Sequence, residues 1–213
     1  MESAIIKPKS GNAKTMVMFL HGYGSNKDDL IGIGSDWQEA LPDTVFVSPN
    51  APEICEQFDL GYQWFSLRSI DARAMEGIKD AVPKLNKYID EQLKEWNIEE
   101  KNLVVVGFSQ GAMMADYTMP RRKKACAGIV SYSGLLVDAD GLKGLSIVKM
   151  PVLAMHGEDD DVVPPFNLNE IEKGFEDAGF EIETIMRPNL GHGIDYFGIK
   201  RGLDFVSECL TKK

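Results

Sequence analysis

Ser109 sits in Gly107-Phe108-Ser109-Gln110-Gly111, and a serine in that setting can attack a carbonyl carbon. A serine hydroxyl is a weak nucleophile at neutral pH. It needs a base to take its proton and a third group to orient that base. A tetrahedral oxyanion would also need two N–H donors about 3 Å away. The remaining residues can be sorted by whether they could supply these parts.

Only three histidines are present, His21, His156 and His192. His192 lies between Gly191 and Gly193, late in the chain, where small neighbours allow close approach to the serine. On a scaffold that presents its serine in a strand–turn–helix elbow, the acid and then the histidine follow the serine in chain order. That order selects His192 as the base. His156 precedes the acidic run and His21 precedes the serine, so both read as structural histidines. The acid must come from Glu158-Asp159-Asp160-Asp161, and residue chemistry alone does not choose among the four. The N–H of Gln110, the residue after the nucleophile, is one candidate oxyanion donor. The other falls in His21-Gly22-Tyr23-Gly24, with Tyr23 favoured.

The elements around these residues must bring them to one place. Leu103-Val104-Val105-Val106 reads as a buried strand, and the segment after Ser109 as a helix stopped by Pro120. Upstream, residues 3–8 read as a short edge strand, 15–20 as a buried strand, and 44–48 as the next strand. A helix is expected from about Lys27 towards Leu41, capped by Asn26. Residues from Pro49 to about 69 read as irregular, and 70–96 as a helix with apolar residues at Ile78, Val82, Leu85, Ile89 and Leu93. Downstream, strands are expected at 125–132, 151–155 and 180–186, and helices at 167–179 and 194–210. The connection 135–149 leaves room for only a small lid. Strands alternating with helices imply a mostly parallel sheet covered on both faces. No repeat or linker interrupts the chain, so residues 1–213 are expected to form a single domain.

Bulk properties narrow the function. The 213 residues carry 23 Lys and Arg against 33 Asp and Glu, a net charge of −10. Nucleic acid and anionic membrane surfaces are disfavoured as main partners. Three distant cysteines, Cys55, Cys126 and Cys209, fit reduced thiols and a cytoplasmic setting. The N-terminus lacks the long apolar region of a secretory signal, and no apolar run is long enough to span a membrane. No metal-ligand spacing and no phosphate-binding glycine loop is present, so no metal or cofactor is expected.

Taken jointly, several pieces resemble the phospholipase/carboxylesterase branch of the α/β-hydrolases. They are Phe19-Leu20-His21-Gly22-Tyr23-Gly24, Pro49-Asn50-Ala51-Pro52, Trp64-Phe65, the Gly-Phe-Ser-Gln-Gly run, His156-Gly157 through Val163-Pro164, and Gly191-His192. That family holds acyl-protein thioesterases, lysophospholipases and small carboxylesterases. The resemblance implies an α/β-hydrolase fold with little or no lid. It places the acid at Asp160, with Asp159 its competitor, and oxyanion donors at Tyr23 and Gln110. It also suggests that Trp64 and Phe65 help to build an acyl-binding cleft. Tyr23 replaces a usual aliphatic residue, and Asp161 stands where proline is frequent.

The expected activity is therefore hydrolysis of carboxylic esters of short to medium acyl chains, lysophospholipids or acyl thioesters. The expected machinery is a Ser109-His192-Asp160 triad. A peptidase or amidase on the same fold, and a non-catalytic binding module, are the alternatives. A small-molecule or lipid ester is the expected partner, and a homodimer is compatible with the sequence.

Overall fold

A computed structural model describes residues 1–67, 72–144 and 146–211. The first half runs β1 (Ser3–Ile6), β2 (Thr15–Leu20), α1 (Ile31–Trp37), β3 (Thr44–Pro49), β4 (Glu53–Ile54), β5 (Tyr62–Gln63) and α2 (Ala72–Glu95). The second half runs β6 (Leu103–Phe108), α3 (Gln110–Thr118), β7 (Gly128–Tyr132), β8 (Val152–Gly157), α4 (Asn167–Asp177), β9 (Ile182–Arg187) and α5 (Tyr196–Thr211). Seven strands form one sheet in the order β1-β3-β2-β6-β7-β8-β9. Every pairing is parallel except that of β1 with β3.

Strand residues alternate between the two faces, and each face has its own core. Met16, Met18, Leu20, Leu103, Val105 and Ile129 pack with Ile78, Leu85 and Ile89 of α2 and with Phe175 of α4. Val17, Phe19, Val104, Val106 and Val130 pack instead with Trp37 of α1 and with Phe205 and Val206 of α5. The inner strands β2, β3, β6, β7 and β8 are buried on both sides, which is why they read as continuous apolar runs rather than alternating ones.

The order of strands also sets the place of the site. From β2 the chain moves one way, to β3, while β6 lies on the other side of β2. The loops leaving β2 and β6 diverge at this switch point, and open α/β sheets bind ligands at such a crevice.

Three local expectations are revised. The first helix starts at Ile31, not near Lys27, and no side chain caps it. Asn26 Oδ1 accepts the Asp28 N–H at 2.9 Å, which closes a turn two residues on and delays the helix. The stretch after Pro52 is not wholly irregular, because β4 and β5 pair as an antiparallel hairpin. The downstream strands begin slightly later than their apolar runs, at Gly128, Val152 and Ile182. The expected start of α2 near residue 70 lies outside the described residues.

Candidate active site

The serine is presented by a turn that only small neighbours permit. Ser109 has φ 53° and ψ −117°, a strained conformation for a residue with a side chain. Its N–H is tied to Tyr132 O at 2.9 Å. A Cβ on Gly107 would lie 2.5 Å from backbone atoms of Ala112, and one on Gly111 would overlap Leu20 O. The start of α3 is thereby wedged against the end of β2. That contact brings the 21–24 loop beside Ser109, and an added Gly22 Cβ would lie 3.5 Å from Ser109 Cβ.

Asp160 and His192 arrive from two more strand ends, after β8 and β9. His192 Nδ1 lies 2.8 Å from Asp160 Oδ2, and its Nε2 lies 3.0 Å from Ser109 Oγ. The carboxylate accepts the Nδ1–H, so the neutral imidazole offers Nε2 as an acceptor for the serine proton. Asp160 Oδ1 accepts the backbone N–H groups of Val162 at 3.0 Å and Val163 at 2.8 Å. Burial pushes the Asp160 carboxyl up. Hydrogen bonds from His192, Val163 and Val162 outweigh that and hold it below the ordinary carboxylate value. Asp159 is exposed instead, and its N–H donates to Leu190 O at 2.9 Å.

Tyr23 and Gln110 both line a cleft that also contains Ser109 and His192. The Tyr23 N–H belongs to the peptide whose carbonyl is Gly22 O, and that oxygen is held. His21 is fully buried, its Nε2 accepting the Ala51 N–H at 2.9 Å. Its Nδ1 must then carry the proton, which it donates to Gly22 O at 2.7 Å. Burial lowers the His21 pKa, so the ring stays neutral as this arrangement requires. The histidine expected to be merely structural thus fixes the plane of the peptide that presents Tyr23 N–H.

The cleft has a volume of about 930 Å³ and is walled mostly by apolar side chains. Phe65, Met113, Leu135, Leu136 and Phe58 of the β4–β5 hairpin are among them. Trp64 is placed differently from the expectation. It is fully buried behind the cleft, and its Nε1–H donates to His21 O at 2.9 Å. Gln110 contributes more than its backbone. Its carboxamide oxygen accepts the Trp64 N–H at 2.8 Å, and its Nε2 donates to Phe65 O at 2.7 Å. The 135–138 side is held by a different device, an Arg121–Asp138 ion pair at 2.8 Å. Arg121 also stacks 3.9 Å above the Tyr117 ring.

One further buried carboxylate lies under the elbow. Asp116 of α3 accepts the Ser131 hydroxyl at 2.8 Å, and burial raises its pKa to about 7. No feature of the sequence pattern marks it except a charge inside an otherwise apolar helix. No group of three or more candidate metal ligands occurs among the described residues. Nor, among them, is any helix long and apolar enough to cross a membrane.

A mostly parallel sheet with a strand–serine–helix elbow at its switch point is an α/β-hydrolase architecture. The chain belongs to the phospholipase/carboxylesterase family, whose model matches residues 1–210. The crystal structure of esterase PE8 is similar at a TM-score of 0.93 and 36% identity, covering 98% of each chain. Acyl-protein thioesterase 1 of Schizosaccharomyces pombe is 30% identical over 173 residues, 77% of this chain and 76% of that one. Esterase YpfH of Escherichia coli is 22% identical over 209 residues, 98% of this chain and 88% of that one. The protein is an esterase-type hydrolase.

Proposed function

We propose that the protein hydrolyses carboxylic esters, and thioesters by the same acyl chemistry, through Ser109, His192 and Asp160. The observation that carries this reading is the unbroken relay from Ser109 Oγ to His192 Nε2 at 3.0 Å and from His192 Nδ1 to Asp160 Oδ2 at 2.8 Å. Ser109 attacks the carbonyl carbon as His192 takes its proton. Asp160 keeps the imidazole in the required tautomer and stabilises the imidazolium. The N–H groups of Tyr23 and Gln110 receive the oxyanion, and the start of α3 adds a favourable dipole. His192 then protonates the leaving group. Water activated by the same histidine releases the acyl group from Ser109.

The apolar cleft of about 930 Å³ supports short to medium acyl chains, with a lysophospholipid as a larger candidate. Relatives named acyl-protein thioesterases support thioesters as a second substrate class. The test is a panel of p-nitrophenyl esters of graded chain length, run with a lysophospholipid and an acyl-CoA. Ser109→Ala should fold normally, lose turnover and lose covalent labelling by a fluorophosphonate. Full activity in that variant would refute the mechanism. Wild-type protein that neither turns over nor labels would indicate a binding module.

A further inference from the structure

We infer that His156 is a positioning residue for the relay, holding the Asp160 carboxylate and its loop in the orientation that His192 needs. The inference rests on the assignment of Ser109, His192 and Asp160 under Proposed function.

His156 is the penultimate residue of β8, and its side chain is fully buried. Its Nε2 lies 2.8 Å from Val163 O and 3.2 Å from Asp160 Oδ2. A carbonyl oxygen can only accept, so Nε2 carries the proton and donates it to Val163 O, with the carboxylate oxygen beside it at 3.2 Å. His156 Nδ1 is buried without a hydrogen-bond partner, so nothing draws the proton to the other nitrogen.

The carboxylate is then held at both oxygens. Oδ1 accepts from Val162 and Val163, Oδ2 accepts from His192, and the protonated Nε2 of His156 lies 3.2 Å from Oδ2. That N–H places positive partial charge beside the ionised carboxylate. Rotating the carboxylate would break several of these bonds at once. Val163 closes the arrangement: its N–H reaches Asp160 and its C=O reaches His156. Val162 and Val163 also line the cleft. One imidazole therefore links the acid of the relay to the wall of the substrate site. His156 thus anchors Val163, whose N–H holds Oδ1, and sets its own Nε2 beside Oδ2.

Two variants test this. His156→Phe keeps a ring of similar size and removes the donor. His156→Gln places an amide N–H near the position of Nε2. Each is assayed with a p-nitrophenyl ester and normalised to sites titrated by a fluorophosphonate. His156→Phe should lower kcat by between about tenfold and about a hundredfold, as expected for a displaced catalytic group, with KM changed less than about twofold. His156→Gln should recover most of the loss. Wild-type kcat per titrated site in His156→Phe, or no recovery in His156→Gln, overturns the role of His156 alone. Wild-type protein that neither labels nor turns over overturns the relay and this inference with it. Should His156→Phe fail to fold, nitrogen NMR of histidine-labelled wild-type protein decides. The proton on Nε2 of His156 supports the inference, and a proton on Nδ1 overturns it.

Discussion

The side chain of Gln110 grips the backbone of Trp64, its oxygen accepting the Trp64 N–H at 2.8 Å while its nitrogen donates to Phe65 O at 2.7 Å. The residue after Ser109 thus couples the elbow to one wall of the cleft. Gln110→Ala keeps the backbone N–H but strands two buried polar groups, each costing about 1–3 kcal/mol. The melting temperature should fall by roughly 5 °C or more. KM for longer acyl esters should rise more than KM for the acetyl ester. Equal KM changes across the chain-length panel would count against the coupling.

The strain at Ser109 makes a second prediction. At φ 53° an alanine is as strained as the serine, whereas glycine is not. Ser109→Gly should be inactive and more stable than Ser109→Ala by about 1 kcal/mol. Urea unfolding of the two variants side by side measures the difference, and equal midpoints would contradict it.

Asp116 should make stability fall as pH rises. Its folded pKa is about 7 against an ordinary value of 3.8, with burial as the cause. Between those values the unfolded chain has lost a proton that the folded protein keeps, so stability declines up to about pH 7 and then levels. Asp116→Asn should therefore gain stability relative to wild type at pH 8 compared with pH 5, by a few kcal/mol on the order of the shift. Melting curves of both proteins at the two pH values check the sign.

His21 acts in the opposite direction. Its folded pKa is lowered by burial, so the unfolded chain takes up a proton first as pH falls below 6.5. The associated stability is present above that value and is lost as pH drops further. Protonation would also oppose the Ala51 N–H that Nε2 now accepts. Urea midpoints of wild type and His21→Gln between pH 5 and 7.5 should converge towards acid pH. Parallel curves would show that His21 does not contribute.

The buried strands and the strand–turn–helix elbow are legible in the sequence because each depends on residues near one another along the chain. Long apolar runs bounded by glycine can hardly be anything but covered strands. The choice of Asp160 over Asp159 is not legible from residue chemistry, because it depends on which carboxyl turns towards His192 after β8 ends. The β4–β5 hairpin is hidden because strands of two residues carry no periodicity. Trp64 reads as a cleft wall because an aromatic pair looks alike from either side, yet only Phe65 faces the cleft. The second role of Gln110 has a usable signal: a carboxamide at the start of a wholly buried helix needs partners. His156 is out of order for a base. The same spacing, four residues before Asp160, is what places it against the carboxylate.

The two sides of the cleft are secured by unequal means, and this bears on how the enzyme can change. Phe65 is bound through Gln110 to the helix that begins just after Ser109, so altering that residue disturbs the setting of the serine. The 135–138 stretch is tied instead through Asp138 to Arg121. Evolution, or a directed library, can therefore explore Leu135, Leu136 and Val137 while leaving turnover intact. New substrate preferences should arise from that bank of the cleft first.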